Sequence, residues 1–132
     1  MSGDRLAVMA ACVALAGCRA PAATNPPAMA TPTFAGKLWL STNASAPPGT
    51  LQVFLPNGTL LMDSCGETYR LARWQSIDDR HIAWQEDAAR IEAEITELSD
   101  DRLHLRLRLV NEFKDQTYRL ATVPFVCPDM PR

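Results

Sequence analysis

Arg90-Ile91-Glu92-Ala93-Glu94-Ile95-Thr96-Glu97-Leu98-Ser99-Asp100-Asp101-Arg102-Leu103-His104-Leu105-Arg106-Leu107-Arg108-Leu109 decides the fold of this 132-residue chain. Ile91, Ala93 and Ile95 alternate with Glu92, Glu94 and Thr96. Leu103, Leu105, Leu107 and Leu109 alternate with Arg102, His104, Arg106 and Arg108. A period of two means strands with one buried face. Taking Ser99-Asp100-Asp101 as a three-residue loop pairs Ile95 with Leu105 and Ala93 with Leu107. The same register sets Glu94 beside Arg106 and Glu92 beside Arg108, and opposite charges across strands contribute a few tenths of a kcal/mol. Apolar pattern and charge pattern choose one register.

The alternation continues on both sides. Asn57-Gly58 is a strong hairpin signal, and a two-residue type I′ turn there pairs Leu55 with Leu60 and Val53 with Met62. Asp78-Asp79-Arg80 separates Tyr69–Ile77 from His81–Glu86. A loop centred on Asp79 sets Trp74 opposite Trp84, a favourable aromatic cross-strand pair. Lys37–Ser41 makes a first strand and Gln116–Phe125 a last one. Helix formers gather only at Trp84–Ile95, which leaves room for one helical turn near Asp87-Ala88-Ala89. Eight strands in up-and-down order have two free edges, and closing the sheet removes both. The expected fold is all-β, a small eight-stranded antiparallel up-and-down barrel, with strand eight beside strand one.

The N-terminus reads differently. Leu6 to Ala16 is an uncharged apolar run of 11 residues ending at Leu15-Ala16-Gly17-Cys18. It is too short to span a bilayer, which takes about 20 residues, and it suits the apolar region of an export signal. Leu15-Ala16-Gly17-Cys18 resembles the lipobox of bacterial lipoproteins. The resemblance implies a signal peptide over 1–17, removed in the mature chain. It also implies lipid attachment to the Cys18 sulfur and a fatty acyl chain such as palmitate on the new amine. Each buried acyl CH₂ contributes about 0.8 kcal/mol, so two or more chains anchor a protein stably. In that family's sorting rule Arg19, not being Asp, directs the protein to the outer membrane, facing the periplasm. Residues 18–33 are rich in Pro, Ala and Thr and read as a tether. Residues 34–132 then form one barrel domain.

Removing 1–17 leaves 12 basic and 14 acidic residues. No basic stripe is present, which argues against nucleic acid as a partner. A lipid anchor, a monomeric barrel, and a small apolar ligand or an envelope protein as partner are what this organisation suggests. Of the four cysteines, Cys12 leaves with the signal and Cys18 takes lipid. Cys65 and Cys127 remain, an even pair in an oxidising compartment, and are expected to form a disulfide. A metal or redox pair is the alternative, but neither has a CxxC neighbour.

Gly36-Lys37-Leu38-Trp39, Phe54-Leu55-Pro56-Asn57-Gly58-Thr59-Leu60, Trp74 and the run of hairpins resemble the small bacterial lipocalin-like domains. Those domains have Gly-x-Trp where this chain has Gly-x-x-Trp. The resemblance implies a barrel with Trp39 at its base and a ligand-binding mouth. A second stretch, Cys65-Gly66-Glu67-Thr68-Tyr69 with Trp74 after it, is similar to the Ser-Gly-x-x-Tyr segment of membrane-bound C-type lysozyme inhibitors. It implies an inhibitor that inserts a loop into an enzyme. Here Cys65 replaces the Ser, and Gln75-Ser76-Ile77 stands where that family has Lys-Gly.

Catalytic chemistry is not legible. A triad needs a nucleophile beside a His base, and the two histidines, His81 and His104, lie on strand patterns without one. Asp78-Asp79, Glu86-Asp87 and Asp100-Asp101 sit in loops, where acidic pairs are ordinary turn chemistry. No metal-ligand spacing, cofactor motif or catalytic residue stands out, so the expectation is a non-enzymatic protein with no metal and no cofactor. Trp39, Trp74 and Trp84 are the candidate ligand-lining residues. The competing reading is that inward aromatics simply fill a small lumen.

Overall fold

The computed structural model describes residues 30–128. The expected signal peptide over 1–17, Cys18 and residues 18–29 of the expected tether lie outside the described residues. Eight strands follow one another: β1 Leu38–Ser41, β2 Leu51–Phe54, β3 Thr59–Ser64, β4 Glu67–Ser76, β5 His81–Glu86, β6 Ala89–Leu98, β7 Arg102–Arg108 and β8 Phe113–Leu120. Every neighbour is antiparallel, and β8 pairs with β1 through Trp39 and Leu120, Leu40 and Arg119, and Ser41 and Tyr118. The sheet is a closed up-and-down barrel. Asn43 prolongs that seam past the end of β1. Its side-chain nitrogen donates to the Asp115 carbonyl (3.2 Å), and its side-chain oxygen accepts from the Thr117 amide (2.8 Å).

β6 and β7 pair as expected, Ile95 with Leu105, Ala93 with Leu107, Glu94 with Arg106 and Glu92 with Arg108. The turn differs. Leu98 faces Leu103, and a bulge between Ile95 and Glu97 absorbs the extra residue. The charges also re-sort: Arg106 bonds Asp115 of β8 (3.0 Å), while Glu94 meets Arg80 (3.6 Å). Trp74 stands opposite Trp84, as the Asp79-centred loop requires. Asp78 is the working residue of that loop. Its carboxylate accepts from the Arg80 and His81 amides, both at 2.8 Å. The Arg80 amide first, then the His81 side chain, hold the Asp78 carboxyl below the usual carboxylate range.

Three expectations are corrected. β2 and β3 pair Phe54 with Leu60 and Val53 with Leu61, one residue away from the register expected of a two-residue Asn57-Gly58 turn. Pro56 is the cause. A type I′ turn there would need an N–H from Pro56, which has none. Instead Leu55 donates to the Thr59 carbonyl (2.8 Å), Gly58 donates to the Leu55 carbonyl (3.0 Å), and Gly58 takes φ 83°. That is a three-residue loop with glycine in the left-handed region. Since a one-residue slip reverses both faces, Gln52 and Phe54 point inward rather than Val53 and Leu55. Second, the last strand is Phe113–Leu120 rather than Gln116–Phe125. Third, no helical turn forms at Asp87-Ala88-Ala89: Glu86 pairs with Ala89 across a two-residue turn in which Asp87 adopts φ 48°.

Phe34, Phe54, Trp74 and Trp84 close one end of the lumen. Phe34 meets Phe54 edge-on at 5.3 Å and Trp74 at 5.5 Å. Below β8 the chain returns to the closed end of β1, where the Ala121 amide donates to the Leu38 carbonyl (2.9 Å). It then reaches Cys127, which is bonded to Cys65 at the opposite end, just after β3. Residues 121–127 thus strap the barrel from end to end. Gly49 receives this staple. It has φ 71°, and a Cβ there would collide with the Cys65 sulfur. Gly49→Ala is expected to cost about 2 kcal/mol or more, from the left-handed backbone and the clash together. In a background with both cysteines changed to Ala the cost should fall by the sulfur's share, leaving the left-handed backbone and the close approach to the Cβ and N of residue 65, and equal costs in the two backgrounds would show that the sulfur is not the obstacle.

Candidate functional site

The end of the barrel opposite Phe34 is open. A cavity of about 420 Å³ lies there, within the range of small-ligand sites (roughly 300–1,000 Å³). Strand parity places its side chains. On β3, Met62 is buried in the lumen and pairs with Arg70 of β4, so Arg70 also points in. Trp84 points in, and so does Glu86 two residues on. Tyr118 points in, and with it Gln116 and Lys114. Ile91, Leu107 and Leu109 supply apolar wall.

Gln52 is the buried polar group of this site. It sits between Trp39 and Met62 in the ladder and is only 7 % exposed. Among the described residues no group answers its Oε1, nor the buried Oγ of Ser64 beside the mouth. A buried carboxamide oxygen without a partner costs about 1–3 kcal/mol. Tyr118 is different: its hydroxyl donates to Gln116 Oε1 at 2.6 Å. Burial first, and then the Glu86 carboxylate, push its pKa far above the ordinary phenol range, so it is a neutral donor. Trp84 Nε1 donates to Glu86 Oε1 (2.9 Å), which orients that carboxylate.

The three tryptophans occupy other positions. Trp39 Nε1 donates to the Phe34 carbonyl and Trp74 Nε1 to the Leu55 carbonyl, both at 2.9 Å. All three indoles are buried in the core, and none lines the cavity. In the stretch similar to the lysozyme inhibitors, Tyr69 stands on the outer surface, 58 % exposed, while Trp74 is buried. Both histidines lie outside the lumen, His81 against Asp78 and His104 against Glu97, each at 2.9 Å. Among the described residues no group of three His, Cys, Asp or Glu is placed to hold a metal ion.

Gln52, Arg70, Glu86 and Lys114 were not candidates from sequence. Their signal was polar residues at the inward parity of strands. With β2 and β3 paired one residue off, Gln52 falls on the outside and looks ordinary. Replacing it by Met, close in volume, is expected to raise stability by about 1 kcal/mol in urea unfolding while removing the site's buried polar group. A loss of stability would mean that Gln52 is satisfied after all.

Comparison of the chain with protein-family models, curated proteins and solved structures returns no match.

Proposed function

We propose that this chain is a lipid-anchored protein of the cell envelope with a non-enzymatic binding role, taking a small ligand with an apolar portion into the open end of its barrel. One observation carries the reading: a cavity of about 420 Å³ at one end of a closed barrel, with the buried Gln52 carboxamide left unanswered inside it. Natural sequences break the rules of core construction mainly at functional sites. Met62, Ile91, Leu107 and Leu109 offer the apolar contact.

The anchor fits this arrangement. The described chain enters at the closed end, where Phe34 plugs the lumen, away from the mouth. Cys18→Ala is expected to move the protein from the membrane fraction to the soluble periplasmic fraction. Unchanged membrane association would remove the anchor. Native mass spectrometry of the purified chain is expected to find a retained small molecule that is lost on Gln52→Met. A chain that never carries such a mass, from any growth condition, would count against the binding role.

A further inference from the structure

β4 and β5 pair only through Trp74–Trp84, Gln75–Ala83 and Ser76–Ile82. Yet β4 begins at Glu67 and β5 continues to Glu86. Among the described residues, β4 is held from Glu67 to Arg73 by β3 alone, while β5 stays paired with β6 out to Glu86. The wall therefore parts near the mouth. A cleft of about 280 Å³ fills the gap, lined by Met62, Arg70, Leu71, Ala72, Gln85 and Glu86, with Asp87 at its edge. It shares Met62, Arg70 and Glu86 with the mouth cavity, so it opens sideways into the lumen.

Backbone N–H and C=O groups along an antiparallel strand point alternately to its two neighbours. A strand with one neighbour leaves half of them facing the gap, which is a template for another extended chain. The charges beside it are unspent. Arg70 and Lys114 point into the mouth, and neither makes an ion pair among the described residues. Glu86 also points in but already accepts the Trp84 N–H. Asp63 and Glu67 also line the mouth. We infer that the occupant is a short extended peptide that adds a strand to the open edge of β4 over Glu67–Ala72, with its terminal carboxylate turned in toward Arg70. This inference rests on the binding role proposed above and names its ligand class.

The test uses the full chain, ¹⁵N-labelled in mild detergent, titrated with a five-residue Val/Thr peptide with a free carboxyl terminus. Amide shifts are expected along Glu67–Ala72 and at Gln85 and Glu86. N-methylation of alternate peptide residues, which removes the donors a ladder needs, is expected to weaken binding at least tenfold. Amidation of the carboxyl terminus, or Arg70→Gln, is expected to weaken it about tenfold, and the two together no further than either alone. Arg70 is exposed, and circular dichroism of the variant checks that the fold is kept. Equal affinity for the N-methylated peptide, or shifts confined to another surface, overturns the strand addition. If native mass spectrometry finds a retained molecule that is not a peptide, the peptide assignment falls and the binding role stands. No retained mass and no peptide binding removes both.

Discussion

Changing Cys65 and Cys127 together to Ala is expected to lower stability by about 4 kcal/mol and the thermal midpoint by roughly 15–30 °C. The bridge joins residues separated by 62 positions. Closing a loop of that length in the unfolded chain removes much of its entropy, and the chain-entropy relation gives the figure above. The native effect adds to it. Beyond Leu120 the described chain has no strand partner, and the bridge to Cys65 is what returns residues 121–127 to the mouth end. A barrel of about one hundred residues buries only about two thirds of its unfolded surface, so one such cross-link is a large share of its margin. Calorimetry with and without a reductant makes the check. The reductant should shift the wild-type chain by the same amount and leave the double variant unmoved. A wild-type midpoint that stays within a few degrees would show that the bridge does not form or does not matter.

Phe34→Ala is expected to cost about 3–5 kcal/mol, the range for deleting a buried phenyl group. Phe34 precedes the first strand, yet it is buried under the barrel. It is placed by the turn whose Ala35 amide donates to the Pro32 carbonyl (3.0 Å) and by Gly36, whose amide donates to the Phe54 carbonyl (2.8 Å). Its ring packs on Phe54 and Trp74, and its carbonyl takes the Trp39 indole N–H. Losing the ring opens a void against Phe54 and Trp74, and Trp74 cannot collapse into it without breaking its bond to the Leu55 carbonyl. Phe34→Leu, which refills most of the space, should recover most of the loss. Urea unfolding followed by tryptophan fluorescence reads both. A cost below about 1 kcal/mol for the Ala variant would mean that this segment does not close the barrel.

How far the sequence carries can be seen strand by strand. The β6–β7 register was legible because two independent patterns, leucines inside and opposite charges outside, demand the same pairing. The Trp74–Trp84 pair was legible for a similar reason, a polar loop of fixed centre between two strands. The β2–β3 register was not, because Asn57-Gly58 and Pro56 ask for different turns. The absent proline N–H outweighs the preference of Asn-Gly for type I′, since an unmade ladder bond is costlier than a second-best turn. The site followed the same error: once Gln52 was assigned to the outside, nothing marked it. Arg70, Glu86 and Lys114 were hidden for another reason. Charged residues near strand ends usually face solvent, and here they face the open mouth of a lumen.

Composition and period alone determined the class of fold and the number of strands, because alternation is a local property; the pairing of Cys65 with Cys127 was expected once the resemblance of the N-terminus to a lipobox set Cys12 and Cys18 aside. Only the closed structure decided which face of β2 looks inward, where the wall parts between β4 and β5, and which end of the lumen is filled. Those depend on how eight twisted strands share one circumference, and a single proline or bulge changes that sharing for residues far away in the chain.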